Sequence, residues 1–268
     1  MSKNNLTSPT PFMIAETEGN IGWMIFNNPD RHNAVKVEMW EAIPRILDQF
    51  ESDDTVKVVV LKGSGEKAFI SGADISEFEQ VRASEAATKH YEDIADGASD
   101  RLYACTKPTI AMIRGYCIGG GAGIAVSCDL RIATDASKFG IPAAKLSVGY
   151  RHGGIQKLVD LVGPSAAKDI FFTARQIPAP EALTMGLINK MVPNDKLEVT
   201  VEEYCEAICA NAPLTITAVK QIIEQIVKPG TLDQDFCEQL VEDCFNSEDY
   251  IEGRRAFMEK RKPIFKGL

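Results

Sequence analysis

The stretch Gly115-Tyr116-Cys117-Ile118-Gly119-Gly120-Gly121-Ala122-Gly123-Ile124-Ala125 decides the fold of this chain. It follows the apolar run Thr109–Ile113, which predicts a buried strand, and its last residues open an apolar segment that predicts a buried helix. A strand that turns through glycines into a helix presents several backbone N–H groups in one direction. The helix dipole adds partial positive charge there, so the turn suits an anion or a developing oxyanion. Close packing of a helix on a strand in an α/β core is the alternative, and the glycines alone leave both open.

Two other kinds of glycine loop are excluded by the spacing. The dinucleotide fingerprint requires glycine at offsets 0, 2 and 5; Gly119 and Gly121 satisfy the first two, but the third position is Ile124. A phosphate-binding loop ends in Gly-Lys followed by Ser or Thr, and no such triplet follows here.

A second glycine turn, Lys67-Ala68-Phe69-Ile70-Ser71-Gly72-Ala73-Asp74-Ile75, follows a strand-like apolar run and opens another helix. Together the two turns resemble those of the crotonase (enoyl-CoA hydratase/isomerase) superfamily. The resemblance extends over nearly the whole chain through three further segments, which are Asn27–Ala34, Phe171–Arg175 and Glu181–Asn189. It implies an α/β fold: a crotonase-like spiral of strand-strand-helix repeats over residues 1–194, followed by a helical C-terminal trimerisation section over residues 195–268.

The resemblance also implies a site. In this family two backbone N–H groups hold the thioester oxygen of an acyl-CoA and stabilise its enolate, and the matching residues here are Ala73 and Gly120. Phe257 and Lys260 match a pair that touches the adenine–phosphate end of coenzyme A, although a plain core or interface aromatic is the alternative for Phe257. The other positions expected to line the substrate are Arg31, Ala68, Ser71, Gly72, Asp74, Ile75, Gly119, Gly123 and Ala143. Asp74 is also suited to starting a helix.

This sequence departs from the family's hydratases at both of their glutamates. The first lies three residues after the middle glycine, where this chain has Gly123, and the second follows the proline after a Phe-Gly pair, where it has Ala143. Neither residue can transfer a proton, and hydration needs a general acid and base. The loop that contains Tyr150, Arg151 and His152 offers replacements.

Each loop residue has a possible role. Arg151 matches the position of a catalytic aspartate in dienoyl-CoA isomerases, and its guanidinium can bind a carboxylate in a bidentate way. Tyr150 lines up approximately with a pocket tyrosine of the methylmalonyl-CoA decarboxylase branch, and His152 can act as a base near neutral pH. A packing tyrosine, a surface ion pair and a loop histidine are the alternatives.

Three hypotheses follow. The first is a hydratase/isomerase-like acyl-CoA enzyme, a lyase or isomerase. The second is a decarboxylase of a malonyl-type CoA thioester, in which Arg151 and Tyr150 orient the carboxylate. The third is a catalytically silent acyl-CoA-binding or assembly subunit.

Composition narrows the partners. The chain has 268 residues and a net charge of −9, which argues against nucleic acid or an anionic membrane as a partner. The seven cysteines include no Cys-x-x-Cys pair and histidine is sparse, so we expect reduced structural thiols, no metal site and a cytoplasmic location. No cofactor is expected, because coenzyme A is part of the substrate, and the resemblance implies a trimer or a dimer of trimers.

Several local predictions can be compared with the structure. Residues 1–11 are expected to be frayed, and Pro44 should kink or shorten a helix over residues 35–50. Gly163-Pro164 should separate two short helices, and residues 139–142 are expected to form a loop. The acidic residues between positions 75 and 103 are interpreted as a solvated helix face; they are Glu77, Glu79, Glu85, Glu92 and Asp93.

Overall fold

Eleven strands form two sheets in the computed structural model, which describes residues 3–77, 83–228, 230 and 232–268. The larger sheet has the order β1-β2-β3-β4-β6-β8-β11, and its strands are parallel from β3 onward. The smaller sheet has the order β10-β9-β7-β5. The strands are β1 (Lys3–Asn5), β2 (Met13–Glu18), β3 (Ile21–Phe26), β4 (Val58–Gly63), β5 (Ala68–Ile70), β6 (Thr109–Ile113), β7 (Tyr116–Ile118), β8 (Leu130–Thr134), β9 (Lys138–Gly140), β10 (Ile177–Pro178) and β11 (Lys190–Val192).

The chain alternates between these sheets, which confirms the predicted spiral of strand-strand-helix repeats. Each of β4, β6 and β8 in the larger sheet is followed by a short strand of the smaller sheet. A helical segment then leads back to the larger sheet, in the last repeat by way of the additional short strand β10. The α-helices are α1 (Val37–Ser52), α2 (Glu85–Tyr103), α3 (Gly120–Val126), α4 (His152–Thr173), α5 (Ala179–Thr184), α6 (Leu197–Cys209), α7 (Pro213–Val227), α8 (Gln234–Asn246) and α9 (Glu248–Glu259). Among the described residues after 196, every helix or strand is an α-helix, so the chain has the predicted helical C-terminal section.

Two apolar clusters hold these layers together. The larger one packs α1 and the buried side of α2 against the sheets through Phe26, Phe50 and Phe69, among other side chains. The smaller one lies beneath α6, where Leu197, Val201 and other apolar residues cover the opposite face of the parallel strands. Parallel strands covered on both faces explain why every residue of Thr109–Ile113 is buried, without an alternation of buried and exposed positions.

Glycine is required at two corners of the spiral. Gly115 joins β6 to β7 at a φ of +66°, and a Cβ there would lie 2.0 Å from the Lys67 carbonyl oxygen. In α3, a Cβ on Gly121 would lie 2.4 Å from the Ile70 carbonyl oxygen. Close helix–strand packing, one of the two roles considered for the glycine run, therefore holds for Gly121.

The local predictions had mixed outcomes. The break at Gly163 is confirmed, because α4 has a non-helical φ of 75° and ψ of 166° there. The expectation of a frayed N-terminus is wrong for residues 3–5, which pair with β2 and form a cross-strand ion pair of 3.0 Å between Lys3 and Glu16. Residues 1 and 2 lie outside the described residues. The expected loop at residue 139 is instead strand β9, held by its pairing with β7.

Pro44 does not shorten α1, which continues to Ser52. Because one face of this helix is fully buried, apolar packing outweighs the backbone hydrogen bond that the proline cannot make. Its buried residues are Met39, Trp40, Ala42, Ile43, Ile46, Leu47 and Phe50.

All seven cysteines are free, and four of them are buried. Burial raises the pKa of the Cys128 thiol to about 12, so this side chain is a protonated apolar group at neutral pH. In the described ranges no helix is both long and apolar enough to cross a membrane.

Candidate active site

The turn at Ala73 is fixed by hydrogen bonds on both sides of that residue. Val35 donates its N–H to the Gly72 carbonyl at 2.8 Å and accepts one from Asp74 N–H at 2.9 Å. These bonds involve the residues on either side of Ala73. The Ala73 N–H itself has no acceptor in the described part of the chain. The Ala73 N–H is therefore available to a ligand.

The early Asn27–Ala34 segment supports this turn. The buried Asn33 side chain donates to the Ser64 and Ala68 carbonyls at 2.9 and 2.8 Å, and it accepts from Asn28 N–H at 3.0 Å. Asn33 has a φ of +57°, a conformation that asparagine tolerates better than most residues. The segment therefore delivers Val35 to the position where it binds the Ala73 turn.

The second turn leaves a second amide available. Gly119 has a φ of +56° and donates its N–H to the Gly140 carbonyl at 2.8 Å, which ties the turn to β9. Gly120 then begins α3, and over the ranges described its amide donates to no protein acceptor. The dipole of this short helix adds a modest partial positive charge at the same point.

The two turns meet at one cavity of about 460 Å³. A Cβ built on Gly120 would lie 3.9 Å from the Ala73 nitrogen, and one on Gly119 would lie 3.7 Å from the Gly72 Cα. Both available amides line this cavity. Two N–H donors directed at one carbonyl oxygen would stabilise negative charge that develops on it.

The positions of the family's glutamates lie in the same cavity. A Cβ on Gly123 would meet no atom within 4 Å, so a side chain there has open space. Ala143, in the 3-10 helix Pro142–Lys145, also lines the cavity. Ser71, Gly72, Ile75 and Gly119 complete the expected substrate positions that the structure brings together.

The three loop candidates, Tyr150, Arg151 and His152, all line the cavity. Tyr150 packs edge-on against Phe171, with ring centroids 5.1 Å apart. His152 is the first residue of α4 and is exposed.

Arg151 forms ion pairs with three carboxylates of α2. Its guanidinium lies 2.7 Å from Asp93, 3.1 Å from Asp96 and 3.2 Å from Glu92. The hydrogen bond to Asp93 is the main reason why the pKa of Arg151 is raised. A substrate carboxylate would have to compete with the negative charge of these three partners to bind Arg151.

Five of the expected site residues lie outside this cavity. Ala68 is buried in β5, Arg31 lies on the surface beside Asn28, and the Asp74 carboxylate accepts hydrogen bonds from Ser76 at the start of the 3-10 helix Ile75–Glu77. Phe257 lines a separate apolar cavity among α7, α8 and α9, and Lys260 ends α9. Their assignment to the substrate stays a prediction.

One wall of the cavity was not anticipated from the sequence. Trp40 lies against the Gly120 turn, and its indole N–H donates to the Tyr91 hydroxyl at 3.2 Å. After Tyr91, α2 contributes Glu92, Asp96 and Asp100, among other residues, to the cavity wall. The interpretation of the acidic run as a solvated face is therefore wrong for Glu92, while Glu79 lies outside the described residues. Glu92, Asp96 and Asp100 are each four residues apart, and this spacing was the sequence signal that could have revealed one shared helix face.

Known proteins resemble this chain over almost its full length. The family model described as enoyl-CoA hydratase/isomerase matches residues 16–268. A short-chain-enoyl-CoA hydratase of Clostridium acetobutylicum is 36% identical over 254 residues, covering 93% of this chain and 95% of that protein. A crotonyl-CoA hydratase of Syntrophomonas wolfei is 32% identical and covers 94% and 97%.

Solved structures agree with this result. A putative enoyl-CoA hydratase/isomerase family protein from Hyphomonas neptunium superposes with a TM-score of 0.92 at 35% identity, covering 97% of this chain and 99% of that one. An enoyl-CoA hydratase/carnithine racemase from Magnetospirillum magneticum gives a TM-score of 0.91 at 33% identity and covers 97% of both chains.

Proposed function

Because the chain belongs to the enoyl-CoA hydratase/isomerase family of the crotonase superfamily, we propose that it is an acyl-CoA lyase or isomerase using Ala73 and Gly120 as oxyanion-binding amides. One observation carries the proposal: two N–H groups without acceptors in the described chain line one cavity, where their turns touch. A thioester oxygen held there would gain negative charge as an enolate forms. Each such donor is worth about 3–4 kcal/mol in a transition state.

Two features argue that this chain differs from the hydratases named among its relatives. Gly123 and Ala143 occupy the positions where the family resemblance implies glutamates, and neither can transfer a proton. We therefore expect crotonyl-CoA hydration to be slow or absent, while reactions that need only enolate stabilisation and one acid–base group are retained.

The decarboxylase alternative is less well supported by the geometry. It requires Arg151 to bind a substrate carboxylate, but Glu92, Asp93 and Asp96 already surround that guanidinium. Carbon dioxide release from a malonyl-type thioester that falls strongly in Arg151→Ala would favour this alternative over ours.

The test is a screen of CoA thioesters by mass spectrometry, made with the wild type and Gly120→Ala. The added methyl group would lie 3.2 Å from the Trp40 ring and 3.9 Å from the Ala73 nitrogen, so it narrows the space between the two amides. The Gly120 N–H is retained in this variant, so turnover should fall because the methyl group keeps the thioester oxygen from that donor; the loss should reach about 10²–10³-fold if the donor is fully blocked. Gly97→Ala is the control, since a Cβ there meets nothing within 4 Å and Gly97 does not line the cavity.

Tight binding of thioesters without turnover of any would contradict the proposal and favour the silent binding subunit. Equal turnover by Gly120→Ala and the wild type would contradict the role of the two amides.

We also propose that the chain works as a homo-oligomer, a trimer or a dimer of trimers. The C-terminal helices expose large apolar side chains, among them Phe257 and Met258, which are 83% and 80% exposed in the single chain. Large apolar side chains exposed in one section of a chain are typical of an interface between subunits. Light scattering of the purified protein tests this, and a monomeric mass would contradict it.

A further inference from the structure

We infer that Asp96 is the acid–base residue of this site, moving the substrate proton that the absent glutamates cannot. The inference rests on the proposed function, because Asp96 needs an enolate held by Ala73 and Gly120. It deepens that function by naming the group that breaks and forms the C–H bond.

The position of Asp96 in the cavity wall supports this role. It lies on α2, on the helix face that lines the cavity together with Glu92 and Asp100. Side chains four residues apart share one face of a helix, so these three carboxylates form one row. Gly123 and Ala143 line the same cavity without offering a titratable group, so the row supplies its carboxylates.

The ion pairs of the row distinguish Asp96 and Glu92 from Asp100, which has a cation of its own. Asp100 is paired with Lys157 at 2.8 Å, and Arg151 is shared among Asp93, Glu92 and Asp96. One guanidinium is therefore shared by three carboxylates, of which only Asp93 has a second cation beside it among the residues that the structure describes, Lys89 at 2.6 Å. The shortest ion pair of Arg151 is with Asp93, which does not line the cavity. Arg151 therefore offsets the negative charge of Asp96 only in part.

The electrostatic environment makes Asp96 suited to exchanging a proton. Partial burial raises its pKa, and the negative charges of Asp100 and Glu92 act in the same direction, while Arg151 opposes them. Other groups along the cavity wall are Tyr91 on its own helix and Tyr150, His152 and Lys157 from the loop and α4. A base with a raised pKa accepts a carbon-bound proton more readily than an ordinary aspartate.

The step balances without a co-reactant. The Asp96 carboxylate takes a proton from the carbon next to the thioester carbonyl, the C–H bond breaks, and its electron pair forms the enolate. The enolate oxygen is held by the Ala73 and Gly120 amides. Return of the proton to the same carbon gives exchange, and in an unsaturated thioester its transfer to a different carbon of the conjugated system moves the double bond. Arg151 is a positioning residue that holds the Asp96 carboxylate at 3.1 Å.

The experiment measures deuterium incorporation into butyryl-CoA in heavy water by mass spectrometry. We expect Asp96→Asn to lower the exchange rate by about 10²–10⁴-fold, the range for general acid–base catalysis. Asp93→Asn is the matched control: it removes a carboxylate from the same helix and the same arginine, but Asp93 does not line the cavity. Its rate should stay within about twofold of the wild type.

The pH profile separates catalysis from a structural role. In the wild type the rate should rise with pH to a plateau as Asp96 deprotonates, with its limb above the usual aspartate range. Asp96→Asn should lose this limb, and Asp96→Glu should restore part of the rate with a displaced limb. Circular dichroism and butyryl-CoA binding confirm that each variant is folded.

The outcomes are distinguishable. If Asp96→Asn exchanges as fast as the wild type, or if Asp93→Asn loses as much rate, the inference is overturned and the proposed function stands. If the wild type binds butyryl-CoA but exchanges no deuterium, both are overturned.

Discussion

The double substitution Gly123→Glu with Ala143→Glu should convert this protein into a hydratase. Both positions line the cavity that contains the Ala73 and Gly120 amides. A Cβ at Gly123 would meet no atom within 4 Å, so a side chain can start from this position without displacing a neighbour. Two carboxylates would then face the thioester, which is the arrangement that the family resemblance implies for hydration.

The Gly123→Glu half of the change should cost little stability, whereas Ala143 is only 7% exposed and Ala143→Glu should account for most of any loss. Gly123 lies inside α3, and replacing a helical glycine with glutamate gains about 0.5–1 kcal/mol of helix propensity. A negative charge near the N-terminus of a helix adds about 0.3–1 kcal/mol. Repulsion from Glu92 and Asp96, which line the same cavity, acts against these gains. We therefore expect a folded variant whose hydration rate rises by about 10²–10⁴-fold, the usual contribution of acid–base groups.

The assay follows crotonyl-CoA hydration by the loss of the enoyl thioester's ultraviolet absorbance. The control is Gly123→Gln with Ala143→Gln, which matches the size of the new side chains but cannot transfer a proton at neutral pH. If the glutamate pair hydrates crotonyl-CoA no faster than the glutamine pair, although both bind it, then the amides do not polarise the thioester and the reasoning fails.

Three further predictions concern stability. Gly121→Ala should lower the free energy of unfolding by about 1–3 kcal/mol in urea denaturation, because its Cβ would lie 2.4 Å from the Ile70 carbonyl oxygen; unchanged stability would contradict the close packing. Gly97→Ala should gain about 0.5–1 kcal/mol, a rise in Tm of about 1–2 °C, because Gly97 lies within α2 and its Cβ would enter open space; a lower Tm would contradict this. Asp96→Asn should become more stable relative to the wild type as pH rises from 4 to 7 in thermal denaturation. Because the pKa of Asp96 is raised in the folded wild type, the wild type loses stability as that carboxyl group ionises. A difference in stability between the two proteins that does not change with pH would refute the raised pKa.

The sequence was most informative where the signal is local. The apolar run Thr109–Ile113 is strand β6, the glycine turn opens a helix at Gly120, and the chain does break at Gly163. Each of these depends on neighbouring residues, through β-branched and apolar side chains or through the backbone freedom of glycine. The spiral itself followed from the family resemblance, since composition and periodicity gave only an α/β class.

The predictions failed where structure depends on distant partners. The segment Lys138–Gly140 is too short to show the sequence pattern of a strand. It forms strand β9 because it pairs with the neighbouring strand Tyr116–Ile118. Similarly, Lys3–Asn5 is ordered by its pairing with β2.

The same limit applies to the candidate site. The two turns were found in the sequence, but the acids of α2 have an ordinary helical spacing that does not reveal which side of the helix faces a cavity. That side is set by the packing of α2 on α1, where Trp40 donates to the Tyr91 hydroxyl. Asp96 then lies in the wall of the cavity that Ala73 and Gly120 line.

The most direct test of the central claim is a crystal structure with butyryl-CoA bound. We predict that the thioester oxygen lies about 2.7–3.1 Å from both the Ala73 and the Gly120 nitrogen. A thioester oxygen that faces solvent, or that contacts neither nitrogen while the acyl chain occupies the cavity, would contradict the account.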